Sequence, residues 1–374
     1  MLKKIVLALF LAVAVFSIAE TLPSCDAYGP RKEYDPCRYG YIDESGEFVI
    51  EPQFIDVEKF NSQGYAFVAN GSYSWGLMDS SGSWVIEPEF EGKDLAFVNG
   101  VAVVESQYDE EVGIGTRGVI NSKGEWLIEP KYRDITAFST EGIAGARALD
   151  DELYGILDLS GEWLVEPKFD WIRMFSDKGV APAKETEEGL WGIIDTTGEW
   201  VVAPAYAKLY EFNDSFAPAT DPKTGLEGLI DSSGKWVIEP KFQSVGREGF
   251  ADNGLISAQD DETGKEGYID ISGEWIIEPA FDFPREFAPC GLAAVYDPAA
   301  SAFGYIDATG KWIIEPKFKT AYSFAKNGLA LVKDKESGLS GYIDIEGKWV
   351  IEPKFSSAGS FADNGLAFAW DSQS

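Results

Sequence analysis

The phrase GYIDISGEWIIEPAF, residues 267–281, recurs with small edits nine times between Gly40 and Phe355. Its opening glycines are Gly40, Gly76, Gly118, Gly155, Gly192, Gly228, Gly267, Gly304 and Gly341, so successive copies begin 36 to 42 residues apart. Self-similarity at that period marks a tandem array whose units are each too small to bury an apolar face alone. What repeats nine times is scaffold. The period therefore fixes the kind of architecture and leaves activity to whatever the copies do not share.

One unit shows how the letters fold. In FGYIDATGKWIIEPKF, residues 303–318, Tyr305 and Ile306 favour strand, and Asp307 to Gly310 has the Asp-first, Gly-fourth chemistry of a tight turn. Lys311 to Ile314 returns as a second strand, closing a hairpin, and Glu315-Pro316 is expected to end it because proline donates nothing to a ladder. A third apolar strand follows, such as GLALV from Gly328, and a variable loop leads into the next copy. Outside the N-terminal segment, no ten-residue stretch has helical periodicity. The expected fold is all-β, a tandem repeat of nine three-stranded antiparallel units over 39–370, β-propeller-like, with an open β superhelix as the alternative. The array opens on a hairpin without a third strand and ends on a third strand without a hairpin, Gly365 to Ala369. That last strand is placed to complete the first unit and hide an edge.

The pattern resembles the WG-repeat family of bacterial proteins over essentially Tyr39 to Trp370. The Trp-Gly pair occurs as Trp75-Gly76 and Trp191-Gly192. Tyr39, Tyr154 and Phe303 keep an aromatic there, while Arg117, Glu227, Glu266 and Ser340 depart from it. The resemblance implies an interaction or surface module rather than a defined reaction.

The N-terminus reads as an export signal. Lys3 and Lys4 precede the apolar run Ile5 to Phe16, and Ser17-Ile18-Ala19 offers the small residues of a cleavage site after residue 19. The alternative is a lipoprotein box, Leu22-Pro23-Ser24-Cys25, with lipid on Cys25. Residues 20–38 form a linker carrying Cys25 and Cys37, a disulfide candidate in an oxidising compartment, and Cys290 reads as a small buried hydrophobe. The expected location is the periplasm, the cell surface or the exterior. No further stretch is suited to spanning a membrane. A formal charge of −32 argues against nucleic acid and anionic lipid as partners, leaving a protein or glycan of the cell envelope.

Catalytic chemistry is scarce. The chain has no histidine, which removes Ser-His-Asp and Cys-His systems, and its three cysteines cannot build a four-cysteine zinc site. No phosphate-binding glycine loop is present. A carbohydrate-binding or carboxylate-dependent carbohydrate-active protein is the alternative to a non-enzymatic module. The repeated residues have structural readings: the recurring Trp packs unit against unit, the Asp makes the turn, as Asn121 does in copy three, and the Glu-Pro-Lys charges are solvated pairs. Binding is assigned to the variable loops, with candidates Asp109, Glu110, Glu111, Asp150, Asp151, Glu152, Glu187, Glu188, Asp260, Asp261 and Glu262, joined by Trp75 and Trp191. Those acids are suited to Ca²⁺ or a basic partner, but none fits a calcium-loop spacing, so no cofactor is expected.

Overall fold

The computed structural model describes residues 38–70, 74–90, 97–106, 115–213 and 215–371. The export segment, Cys25, Cys37 and their disulfide, and Asp109, Glu110 and Glu111 lie outside the described residues. Every element described is a β-strand, and every pairing is antiparallel.

Eight of the nine units have four strands rather than three, and in the other a single bridge, Asp282 to Tyr296, stands in for the short strand. In the first complete sheet, Asp56–Val57, Tyr65–Ala69, Trp75–Asp79 and Trp84–Phe90 lie side by side in that order. The addition is the short strand, only two residues long, and too brief for an alternating pattern to betray it. We call these sheets blades, numbered 1 to 8 from residues 56–90, 97–132, 134–169, 171–206, 208–242, 244–281, 282–318 and 320–355. In two places the tryptophan strand runs straight into the next short strand, Trp126–Ile135 and Trp312–Ala321. Blade 9 takes Ser357–Ala358 and Ala367–Trp370 from the end of the array and Tyr39–Ile42 and Phe48–Phe54 from its start.

The array closes. Gly40 pairs with Ala369, Tyr41 with Phe368 and Ile42 with Ala367, so the last strand completes the first hairpin. Two series of contacts also pass through nine junctions without a gap. Each turn glycine sits against an Ile or Val of the preceding blade, as Gly82 does on Ile50 and Gly347 on Ile314, and Gly46 meets Ile351 across the seam. The aromatic ending one tryptophan strand meets the Trp of the next blade edge to face, from Phe54–Trp84 at 5.9 Å and 85° to Phe318–Trp349 at 5.8 Å. At the seam Phe355 meets Phe48, at 6.2 Å and 79°. An open superhelix would leave both series unfinished at its ends. At about 1 kcal/mol each, the nine aromatic pairs are worth on the order of 10 kcal/mol, comparable with a domain's net stability.

The repeated residues have sharply separate jobs. The glycine opening each copy leaves no room for a side chain: a Cβ on Gly304 would stand 2.5 Å from the Ile314 carbonyl oxygen and 2.8 Å from both Pro316 N and Trp312 Cζ3. The proline lies inside its strand rather than ending it, since Trp312–Ala321 runs through Pro316 to Phe318 and beyond. It occupies a break in register between the Tyr305–Ile314 and Phe303–Phe318 pairs, where its missing N–H costs no ladder bond. The turn aspartate acts as expected: Asp307 Oδ1 accepts the Thr309 and Lys311 amides and the Thr309 hydroxyl, while Asn121 Oδ1 accepts the Lys123 and Glu125 amides. The motif lysines do not pair with their motif glutamates. Lys168 and Lys317 lie over their own Phe169 and Phe318 and donate to the turn carbonyls of Gly198 and Gly347 in the next blade. Cys290 is exposed rather than buried, at a loop corner where Gly291 N bonds the Ala288 carbonyl.

Candidate functional site

An antiparallel meander sorts its connections between two ends. The Asp-Gly turns share one end of the ring with the connections leaving the short strands, so Gly179 faces Thr196 and Gly365 faces Glu44. The variable loops therefore stand at the opposite end. The short strands belong to that half of each blade as well, because Trp171 pairs with Lys184 at the foot of a variable loop.

The loop acids are not gathered. Among the described residues, no hydrogen bond or ion pair joins the acids of one variable loop to those of another, and no three acidic or cysteine side chains form a metal-ligating group. Asp150, Glu152, Glu187, Glu188, Asp261 and Glu262 are exposed. Asp151 accepts the Leu153 amide, and Asp260 accepts the amide and hydroxyl of Thr263. The latter is one of three copies of a second turn, Asp221 to Gly225, Asp260 to Gly264 and Asp334 to Gly338, each closed by a Thr or Ser three residues after the Asp. Asp260 thus builds its loop rather than offering a free ligand. Trp75 is buried in the core between blades 1 and 2, which removes it as a binding residue. Trp191 is half-buried and lies under two cations, Arg173 at 4.8 Å and Lys184 at 5.7 Å. Lys184 also pairs with Asp170 at 2.9 Å and donates to the Glu187 carbonyl, which pins that loop.

What converges instead is a set of arginines and aromatics along the short-strand edge. The residue before each opening glycine reaches toward the next short strand, and the departures from Trp have complements there. Arg117 of blade 2 pairs with Asp134 of blade 3, which also accepts the Tyr154 hydroxyl. Tyr154 meets Trp171 of blade 4 at 5.2 Å, and Arg147 also lies over the Tyr154 ring, at 5.2 Å. Tyr210 of blade 5 has Arg173 at 5.5 Å and Arg247 at 3.5 Å, with Arg173 also bonded to Glu211 at 2.8 Å. Glu227 is only 5% exposed, and it accepts both Arg247 Nη atoms, at 2.8 and 2.9 Å, and the Val245 amide. Arg285 of blade 7 lies 4.9 Å from the Tyr322 ring of blade 8 and donates to the Ala321 carbonyl.

Five of the eight arginines in a chain of charge −32 therefore occupy one edge. Arginine differs from lysine in offering a planar fork that stacks on rings and grips carboxylates in two places. Trp171, at 41% exposed, and Tyr322, at 39%, open this edge to solvent. Burial, and next the charge of Glu248, push the Glu286 carboxyl up to about 7. Such a surface suits recognition of groups with flat apolar faces and polar rims. The sequence signal for it was available: Arg173, Arg247 and Arg285 each lie two or three residues before the core-packed Phe175, Phe250 and Phe287 of their copies, where other copies carry Glu58, Thr136 or Gly359.

Comparison with known proteins adds the family and the fold. The "WG containing repeat" description matches nine segments, residues 39–73, 75–107, 118–150, 154–187, 191–220, 228–263, 267–296, 303–336 and 341–369. No curated protein matches the chain. Among solved structures, a eukaryotic initiation factor superposes with a TM-score of 0.58 at 10% identity, over 90% of this chain and 98% of that one. BamB from Moraxella catarrhalis aligns over 84% of this chain and 90% of that chain, with 12% identity and a TM-score of 0.39. At these identities the first likeness speaks for the fold alone. Nine matched segments cover most of the chain, and it belongs to the WG containing repeat family.

Proposed function

We propose that the protein is a non-enzymatic binding module that is exported and holds a protein or glycan partner of the cell envelope at the loop end of its ring. Contacts come from the short-strand edge of blades 3 to 5, with the exposed acids of the variable loops as a surrounding rim. The observation behind this reading is the concentration of arginine and aromatic side chains on one edge of an acidic scaffold. Trp, Tyr and Arg are the residue types that dominate binding energy where a surface is recognised. Export rests on the basic and apolar N-terminal segment.

The test is retention of partners from a cell-envelope extract by the immobilised full chain, beside Trp171→Ala and Arg173→Ala variants with unchanged thermal unfolding. The reading expects a ligand retained by the wild type and lost from both variants. Equal retention by all three, or none above an unrelated acidic protein, would overturn it.

A further inference from the structure

Blade 7 breaks a rule that the other blades keep. Where each of them has a short strand, it has a single bridge, Asp282 to Tyr296. The next residue, Phe283, has φ = 53°, a left-handed conformation that a bulky side chain rarely adopts. Its ring is 73% exposed, more than any other large apolar side chain among the described residues. A strained backbone that thrusts an aromatic ring into water serves neither packing nor solubility.

The segment is held in place from several sides. Asp282 pairs with Lys265 of blade 6 at 2.6 Å. The Phe283 amide donates to the Glu266 carboxylate, which also comes from blade 6 and stands where the family has its Trp. Arg285 N bonds the Ala294 carbonyl, and Pro284 stiffens the chain between. Beside it, Tyr296 and Phe303 form a second aromatic unit, with ring centroids 5.1 Å apart. The junction of blades 6 and 7 thus presents a rigid exposed ring, two half-buried rings, and a ring of short-range donors and acceptors, Lys265, Glu266 and Asp282.

We propose that this junction is a binding site for a neutral saccharide, with Phe283 as the platform on which the apolar C–H face of a sugar ring stacks. The Lys265 ammonium is already matched by Asp282, and the chain's charge of −32 repels acidic glycans. A neutral ligand with one apolar face and a rim of hydroxyls uses both halves of the site: the ring for the face, and the carboxylates and ammonium for the hydroxyls. A fixed aromatic ring gives contact area at little entropic cost, since its conformation is set before the ligand arrives. The Glu266 carboxylate, already accepting the Phe283 amide, keeps further lone pairs that can accept from a sugar hydroxyl. The site deepens the binding-module reading but uses a different junction from Trp171 and Arg173, so each can fail alone.

The experiment is calorimetry of the full chain against neutral oligosaccharides of glucose, galactose, mannose and N-acetylglucosamine. At least one is expected to bind, with affinity falling about tenfold or more in Phe283→Ala, as loss of a stacked ring implies. Phe283→Trp should retain binding, and Val49→Ala, at an exposed position on the Phe48–Phe54 strand, should leave it unchanged. Phe283→Gly should lose binding while unfolding no earlier than the wild type, because the strain is relieved. The proposal is overturned if no neutral saccharide binds, or if binding survives Phe283→Ala. Loss of a retained protein, rather than a saccharide, on Phe283→Ala would also overturn it and leave the broader binding role standing.

Discussion

Gly304→Ala should be far more damaging than Gly328→Ala, although only the second glycine has an unusual backbone. Gly328 has φ = 80° with nothing within 4 Å of a built Cβ, so alanine there meets only the left-handed penalty, about 1 kcal/mol. At Gly304 the added methyl would stand 2.5 Å from the Ile314 oxygen and 2.8 Å from Pro316 N and Trp312 Cζ3, against an ordinary contact near 3.4 to 4 Å. Two of those atoms are backbone, so the tryptophan strand itself must move. Overpacking of this kind costs about 1–3 kcal/mol. Loosening a ladder bond adds about 1 kcal/mol, and disturbing the Phe281–Trp312 contact adds about 1 kcal/mol more. The total is about 3–5 kcal/mol, which at a slope of about 3 kcal/mol per molar moves a urea midpoint by about 1 M or more. Urea unfolding followed by tryptophan fluorescence and by circular dichroism reads both variants, with Trp312 reporting from the perturbed strand. If Gly304→Ala unfolds at the same urea concentration as Gly328→Ala, the close approach of the two backbones is not what the repeated glycine is for.

Three further outcomes are expected. Asp307→Asn should cost less than Asp307→Ala, which should lose about 1 kcal/mol by urea titration, since Asn121 already closes the same turn without charge. Serine or threonine hydroxyls hold Asp43, Asp79, Asp158, Asp195, Asp231, Asp270 and Asp307 below their ordinary value of 3.8, so these turns contribute stability above that value and lose it as pH falls through the depressed range; an acid titration of unfolding that is flat below pH 3.8 would contradict this. Glu227→Ala should cost about 2–4 kcal/mol, because it strands the Val245 amide and leaves Arg247 partly rehydrated at 36% side-chain exposure; a double-mutant cycle with Arg247→Ala should then show positive coupling.

The repeated letters announced the blade almost in full. Turn and hairpin followed from turn chemistry and alternation, because each depends on neighbours close in sequence, while tryptophan packing and the closing strand followed from the repeat itself, which puts the same partner in every copy. The short strand escaped notice since two residues such as Asp56–Val57 carry no period. Pro316 was misread for a related reason: alternation cannot show a register break that makes a missing N–H harmless. The site was harder still. Variability drew attention to the loops, yet Asp260 proved to be part of a smaller repeated turn. The arginine edge is assembled from positions one repeat apart, Arg173 against Tyr210 and Tyr210 against Arg247, and only closure of blade upon blade brings those side chains together.

Blade 9 carries a lesson about connectivity. In every other blade a variable loop joins the second strand to the glycine strand. In blade 9 that place is open, and Ala367–Trp370 and Tyr39–Ile42 stay paired through their ladder and side-chain packing, with no variable loop between them. The ring is thus already cut at one such position and holds its shape. Opening any other variable loop while joining Trp370 to Tyr39 through a short linker should give a circular permutant with the same nine blades, and a protease nick in a loop should leave two fragments locked in one sheet. The covalent order of the copies is interchangeable; what the molecule cannot surrender is their number, because a tenth blade would have to be wedged into junctions that Gly46 and Ile351 already close.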